Sequence, residues 1–223
     1  MTDERKKALL AFAALSWPFY LNDFYLIPLS GRQGAIGLLW VLDVIFYTLV
    51  PCITLAVLYR KGQLDFLKPA LALPRGKWLL ATVAGAVVLA FATHHVFTRG
   101  LDHVFMSMGC CRQCQGYPLP LDALAALLVT VYAPLSAGIL EEVIFRGVLI
   151  DLLKKYTVKP AILIVSSAAI FAAIHWCGGS GKLLATFTIG LIPAALYLRT
   201  GNLWLPMLWH VLHDGVVFYK GWG

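Results

Sequence analysis

The sequence predicts an all-α protein, a polytopic transmembrane helical bundle of about seven spans, and three observations predict it. Of its 223 residues, 60% are hydrophobic and 13% charged, with a mean hydropathy of +0.79. A soluble domain averages roughly 45–50% apolar and about 25% charged residues. A core of this size could not hide so much apolar surface, so the surplus must face lipid. The apolar residues also run continuously, in stretches that reach the roughly 20 residues a helix needs to cross the hydrocarbon layer. Helices are required because lipid offers no partner for an unpaired peptide group, and the alternating ten-residue strands of a β-barrel are not seen. Finally, the basic residues gather in short breaks between the runs, as the positive-inside rule expects. That placement, rather than nucleic-acid binding, accounts for the formal charge of +7.

The predicted spans are 8–29, 35–59, 77–97, 121–153, 160–177, 182–199 and 203–219. Arg5, Lys6 and Lys7 ahead of Ala8 to Leu15 imitate a signal peptide. No small-residue cleavage site follows, and Trp17, Pro18 and Tyr20 come instead, so this is read as a retained first span. Within it, Asn22 and Asp23 follow Pro18 and are read as marking a break. Asp43 in the second span is read as bonding a neighbouring helix, and His94 and His95 as reaching the headgroups at the end of the third. Arg60, Lys61, Lys68, Arg75 and Lys77 separate the second and third spans, and Lys154, Lys155 and Lys159 separate the fourth and fifth.

Residues 98–120 form the one polar loop of any length, and they divide the chain into 1–120, with the N-terminal helices and this loop, and 121–223, the helical core. The loop carries Cys110, Cys111 and Cys114, two of which could pair in an oxidising compartment. Their spacing lacks a fourth ligand for a zinc site.

The stretch 121–153 is open to two arrangements. Crossed once, it puts twelve Lys and Arg inside and five outside, with Arg146 in the membrane; crossed twice, the ratio is ten to seven. Charge favours one crossing. Depth argues against it: a straight rod from Leu121 carries Glu141 roughly 30 Å along, to the face opposite His175. A break around Pro134 and Gly138 would repair this, since proline removes a helix hydrogen bond and crowds the preceding turn.

Three clusters place ionisable groups at bilayer depth, where each costs several kcal/mol unless paired or wetted. In the run from Gly138 to Gly147, Glu142 and Arg146 lie four apart on one face and can form an ion pair. Glu141 is turned about 100° away and has no partner at that spacing. A free, partly desolvated carboxylate suits general-base work near neutral pH. The second cluster, Phe171 to Trp176, carries His175 after small residues that permit close packing. The third holds His210 and Asp214, again four apart, where Asp214 could orient the imidazole. Each has a bland alternative as a buried helix-to-helix hydrogen bond. Three of them on successive helices make a catalytic site the stronger reading.

Glu-Glu-x-x-x-Arg at 141–146, Phe-x-x-x-His at 171–175 and His-x-x-x-Asp at 210–214 resemble the CPBP family, the CAAX prenyl endopeptidases and their bacteriocin-processing or immunity relatives. The resemblance covers roughly residues 122–218. It implies peptide-bond hydrolysis in the membrane without a cofactor, with Glu141 activating water and His175 helping to hold it. His210 and residue 214 would polarise the scissile carbonyl and stabilise its oxyanion, and Glu142 with Arg146 would be structural. Well-studied prenyl-protein members have asparagine where this chain has Asp214. An ionised aspartate only accepts hydrogen bonds and would repel an oxyanion. Either Asp214 is protonated or it supports His210 and leaves donation to the imidazole.

Two alternatives stand beside this reading. One runs the same reaction on zinc held by His175, His210 and Asp214, although no His-Glu-x-x-His motif is present. The other is a non-enzymatic immunity or scaffold protein. The expected partners are the lipid bilayer and a membrane-anchored peptide or protein substrate, with no nucleic acid. Short loops and the lack of a soluble domain suggest a prokaryotic cytoplasmic membrane.

Overall fold

The computed structural model describes residues 2–29, 35–95, 100 and 127–220. The polar loop and its cysteines Cys110, Cys111 and Cys114, with the pairing expected of them, lie outside the described residues. Among the described residues seven long helices carry the fold and no strand occurs.

Helix α1 is Asp3–Leu29, with Pro18 and Pro28 inside it. It runs unbroken through Asn22 and Asp23, so the expected break there is not found. Their side chains reach sideways instead of competing with their own backbone. Asn22 Nδ2 donates to Asp43 Oδ1 at 3.1 Å, and Asp23 Oδ2 accepts the backbone N–H of Cys177 at 2.9 Å. Helix α2 covers 36–60 and contains a stretch of wide turns, Asp43–Leu49, just before Pro51. Helix α4, Leu128–Lys154, repeats the device: wide turns at Leu128–Tyr132 precede Pro134. Proline has no N–H to give and its ring crowds the carbonyl four residues back. A wider turn moves that carbonyl away, and the helix continues.

The break expected in 121–153 around Pro134 and Gly138 is therefore absent over 128–153, and Gly138 has a different use. A Cβ there would lie 2.7 Å from the backbone nitrogen of Val211. It is the point where α4 touches α7, Trp204–Lys220.

Helix α3 is Lys77–Thr93. Residues Pro160–Thr200 form one helical run of 41 residues. Straight, it would reach about 60 Å, twice the hydrocarbon thickness. It folds back instead at a tight turn, Ala173–Gly178, between α5 (Pro160–Ala172) and α6 (Gly179–Thr200). His175 leaves helical geometry there (φ −102°, ψ 29°), and Gly179 has a φ of 75°, which favours glycine.

The core draws on both parts of the chain. Phe12, Leu15 and Phe19 of α1 pack with Ile144, Phe145 and Leu149 of α4 and with Phe171 of α5. The outward faces are apolar: Ile53, Leu80, Val88 and Phe91 are exposed. Gly37–Arg60, Leu128–Lys154 and Pro160–Thr200 are each long and apolar enough to cross a membrane, and Lys77–Thr93 is a shorter apolar helix. A bundle with lipid-facing apolar helices is an integral membrane protein. His94, expected at the headgroups, is buried, while His95 beside it is exposed. Their neighbour Thr93 receives the indole N–H of Trp209 at 3.1 Å, which ties α3 to α7.

Candidate active site

Helices α4, α5 and α7 bring all three clusters together. Glu141 and Glu142 lie at the middle of α4, both buried, and Glu142 begins a second run of wide turns, Glu142–Val148. The expected pair is present: Arg146 Nη1 is 3.1 Å from Glu142 Oε1, and both side chains are fully buried. Arg146 has two further supports. Its Nη2 donates to the Gly190 carbonyl at 3.3 Å, and its guanidinium sits 4.0 Å above the centre of the Phe171 ring. Gly190 leaves the space, because a Cβ there would touch Phe171 and Arg146 Nη2. Ion pair, backbone acceptor and aromatic face together hold a cation that could not stay alone at this depth.

Glu142 is more than the structural partner the spacing suggested. His210 Nδ1 lies 2.8 Å from Glu142 Oε1. The opposite ring nitrogen, Nε2, lies 3.4 Å from Asp214 Oδ2 and 3.6 Å from Glu141 Oε2. One imidazole thus stands between the two neighbouring glutamates, which project about 100° apart from their helix. The orienting contact expected from Asp214 is made more closely by Glu142. Asp214 is shared, with its Oδ1 3.3 Å from His213 Nδ1, and Trp209 stacks on His213 at 5.5 Å.

His175 joins the group through an aromatic wall. The Phe171 ring packs edge-on against His175 (5.4 Å) and His210 (6.0 Å) and touches Phe145 at 5.5 Å. Phe171, which the motif left without a role, separates the Glu142–Arg146 pair from His175. His175 is partly buried and within electrostatic reach of Lys182, Asp214 and His210. The turn that carries it is gripped by α1. Asp23 accepts the N–H of Cys177, Trp176 Nε1 donates to the Tyr20 carbonyl at 3.5 Å, and Tyr20 donates to the Ile170 carbonyl at 3.1 Å.

Sequence reasoning missed Tyr47. Its hydroxyl donates to Glu141 Oε1, across a separation in sequence that helix spacing cannot reveal. Glu141 Oε2 has no hydrogen bond among the described residues. Glu141 therefore has one oxygen held and one free. A buried carboxylate oxygen that accepts no hydrogen bond can take a proton from a water that reaches it. Among the described residues, no three His, Cys, Asp or Glu side chains are arranged to hold a metal ion, and this includes His175, His210 and Asp214.

No curated protein matches the chain, and no solved structure does. A family model does match: Rce1-like, described as type II CAAX prenyl endopeptidase Rce1-like, over residues 123–216. The match begins ahead of α4 and ends within α7, so it holds Glu141, Glu142, Arg146, His175, His210 and Asp214. Tyr47 and Asp23 stand outside it. With its three motifs folded around one imidazole, the segment 123–216 is similar to the type II CAAX prenyl endopeptidases, in agreement with the resemblance its motifs carry.

Proposed function

We propose that this protein hydrolyses a peptide bond of a membrane-anchored peptide or protein, using Glu141 as the general base toward water. The observation that carries this is the divided state of Glu141: Tyr47 engages Oε1, while Oε2 lies unbonded 3.6 Å from His210 Nε2. Water held between Oε2 and His175 gives a proton to Glu141 as its oxygen attacks the scissile carbonyl carbon. The carbonyl electrons move to oxygen, where a His210 Nε2–H donates to the developing charge. The C–N bond then breaks, and Glu141 returns the proton to the departing amine.

Glu142 supports this division of labour. A carboxylate at Nδ1 favours the proton on that nitrogen and stabilises the charged ring, which donates through Nε2 as well. Asp214 as a supporting acceptor fits the same picture, because its two oxygens face two histidines. Donation to the oxyanion then falls to His210. The apolar outer faces suit a substrate that enters from lipid, and the short breaks between the helices suit a prokaryotic cytoplasmic membrane.

The test is cleavage of a fluorogenic library of membrane-anchored peptides by purified protein, with and without a strong chelator. Glu141→Gln and His175→Ala each lower turnover by about 10² or more, the scale of a lost catalytic proton-transfer group, and chelator has no effect. Cleavage abolished by chelator and restored by zinc would instead assign His175, His210 and Asp214 to a metal shell. No cleavage by the unaltered protein, beside a validated positive control, would favour an immunity or scaffold protein.

A further inference from the structure

The group that holds the proposed base comes from outside the matched segment. We infer that Tyr47 is a positioning residue for Glu141, set in place by α1 through Asp43; the inference rests on Glu141 acting as the base.

A glutamate on a helix turns about three side-chain bonds, and a general base must present one oxygen to water within hydrogen-bond reach. Nothing on α4 fixes Glu141: its neighbour Glu142 has Arg146 four residues on, and Glu141 does not. The phenol of Tyr47 supplies the restraint by donating to Oε1. That hydrogen bond also selects the oxygen, since Oε1 is occupied and Oε2 is left for water. The phenol is itself fixed, because the Tyr47 ring packs edge-on against Phe19 of α1 at 4.4 Å.

The height of Tyr47 has its own anchor. Asp43 lies four residues earlier in the same wide-turn stretch, Asp43–Leu49. Its Oδ1 accepts from Asn22 Nδ2 at 3.1 Å and from the Tyr25 hydroxyl at 2.6 Å, both on α1. Two hydrogen bonds to one carboxylate oxygen, one of them buried, resist sliding of α2 along α1. A slide of one residue would move Tyr47 by about 1.5 Å, enough to lose Glu141. Asn22 and Tyr25 thus hold Asp43, and the backbone of α2 carries that restraint from Asp43 to Tyr47 and so to the base.

A merely structural phenol and a positioning phenol predict different things. Tyr47→Phe keeps the ring on Phe19 and removes only the hydroxyl. As a positioning residue, Tyr47 contributes to kcat: the variant loses about 10- to 100-fold in kcat, the usual range for an orienting partner. KM stays within about twofold and the melting temperature within about 2 °C, since the substrate and the packing are untouched. Asp43→Asn, which weakens the anchor without touching Glu141, gives a smaller loss of kcat.

A second readout needs no turnover. Modification of Glu141 by a hydrophobic carbodiimide speeds up about threefold or more in Tyr47→Phe, because the engaged oxygen is released. A kcat within twofold of the parent protein, a loss of kcat matched by a rise in KM and a fall in melting temperature, or unchanged modification of Glu141 would each overturn the inference. If the parent protein cleaves nothing, the proteolytic reading fails by itself, and the modification rate still decides whether Tyr47 controls this carboxylate.

Discussion

Removing Arg146 tests how the site tolerates a buried carboxylate beside its imidazole. Arg146→Met keeps length and most of the volume but takes away three contacts at once. These are the ion pair with Glu142 at 3.1 Å, the hydrogen bond to the Gly190 carbonyl at 3.3 Å and the guanidinium over Phe171 at 4.0 Å. Deleting one partner of a buried ion pair costs about 3–5 kcal/mol, because the other charge is left without compensation. The face contact with Phe171 is worth about 2 kcal/mol when desolvated, but it overlaps the first figure and is not added to it. Glu142 keeps one partner, His210 Nδ1 at 2.8 Å, which moves the expectation to the lower end. The working figure is about 3 kcal/mol, or roughly 150-fold in the unfolding equilibrium. The seven tryptophans report unfolding as SDS is titrated into mixed micelles. The pairing has a second signature. Adding Glu142→Gln removes the stranded charge, so the double variant regains at least about half of the lost stability, a coupling of the size seen between contacting groups. It does not regain proteolysis, because glutamine does not orient the His210 ring as a carboxylate at Nδ1 does. Arg146→Met within about 1 kcal/mol of the parent, or a double variant whose losses simply add, would refute this account of the pair.

Two other substitutions probe the frame. Gly138→Ala drives a methyl to 2.7 Å from the Val211 nitrogen, and backbone cannot yield as a side chain would. It costs about 1–3 kcal/mol and lowers kcat as well, because the displaced residue is next to His210; an unchanged melting temperature and kcat would show that α4 and α7 are not fixed at this point. Asp214→Asn retains proteolysis within about tenfold, since an amide oxygen still accepts from the histidines and its N–H₂ can donate to an oxyanion, whereas Asp214→Leu loses about 10² or more. Equal losses in the two variants would mean that the negative charge itself is required.

The fold class was legible because a bilayer allows so few solutions. Continuous apolar runs and basic breaks prescribe helices and their approximate ends: α1 and α7 follow the predicted spans within several residues at each end, and α4 does so at its C-terminal end. What failed was the reading of single residues as breakers. Pro134 does not break α4 and Asn22 does not break α1, because wide turns and side chains from neighbouring helices satisfy what proline and asparagine leave open. The Glu142–Arg146 pair was legible from a spacing of four. The Tyr47–Glu141 contact was not, since it joins residues of different helices and a tyrosine in an apolar span has no distinguishing pattern. Nor could spacing show that His210 stands between Glu141 and Glu142, for that depends on the approach of α4 and α7 at Gly138.

The depth conflict in the sequence resolves once both residues are measured from the turn they share. Glu141 lies 13 residues before Lys154, the end of α4, and His175 lies 15 residues after Pro160, the start of α5. At 1.5 Å per residue these are about 20 and 22 Å, so antiparallel helices put the two residues at one level. Starting the rod at Leu121 instead set Glu141 against one face and His175 against the other. The third motif follows the same logic. A Cβ on Gly147 would meet Leu203, just before α7, and one on Gly138 would meet Val211. Between those two contacts α4 and α7 run side by side in opposite directions, and His210 falls level with Glu141 and Glu142. The site is thus built from registers: α4, α7 and the turn that ends α5 carry their polar groups to a common depth. A change that slides one helix would separate the motifs without altering any of their residues. The glycines at 138, 147 and 190 therefore help to set that common depth.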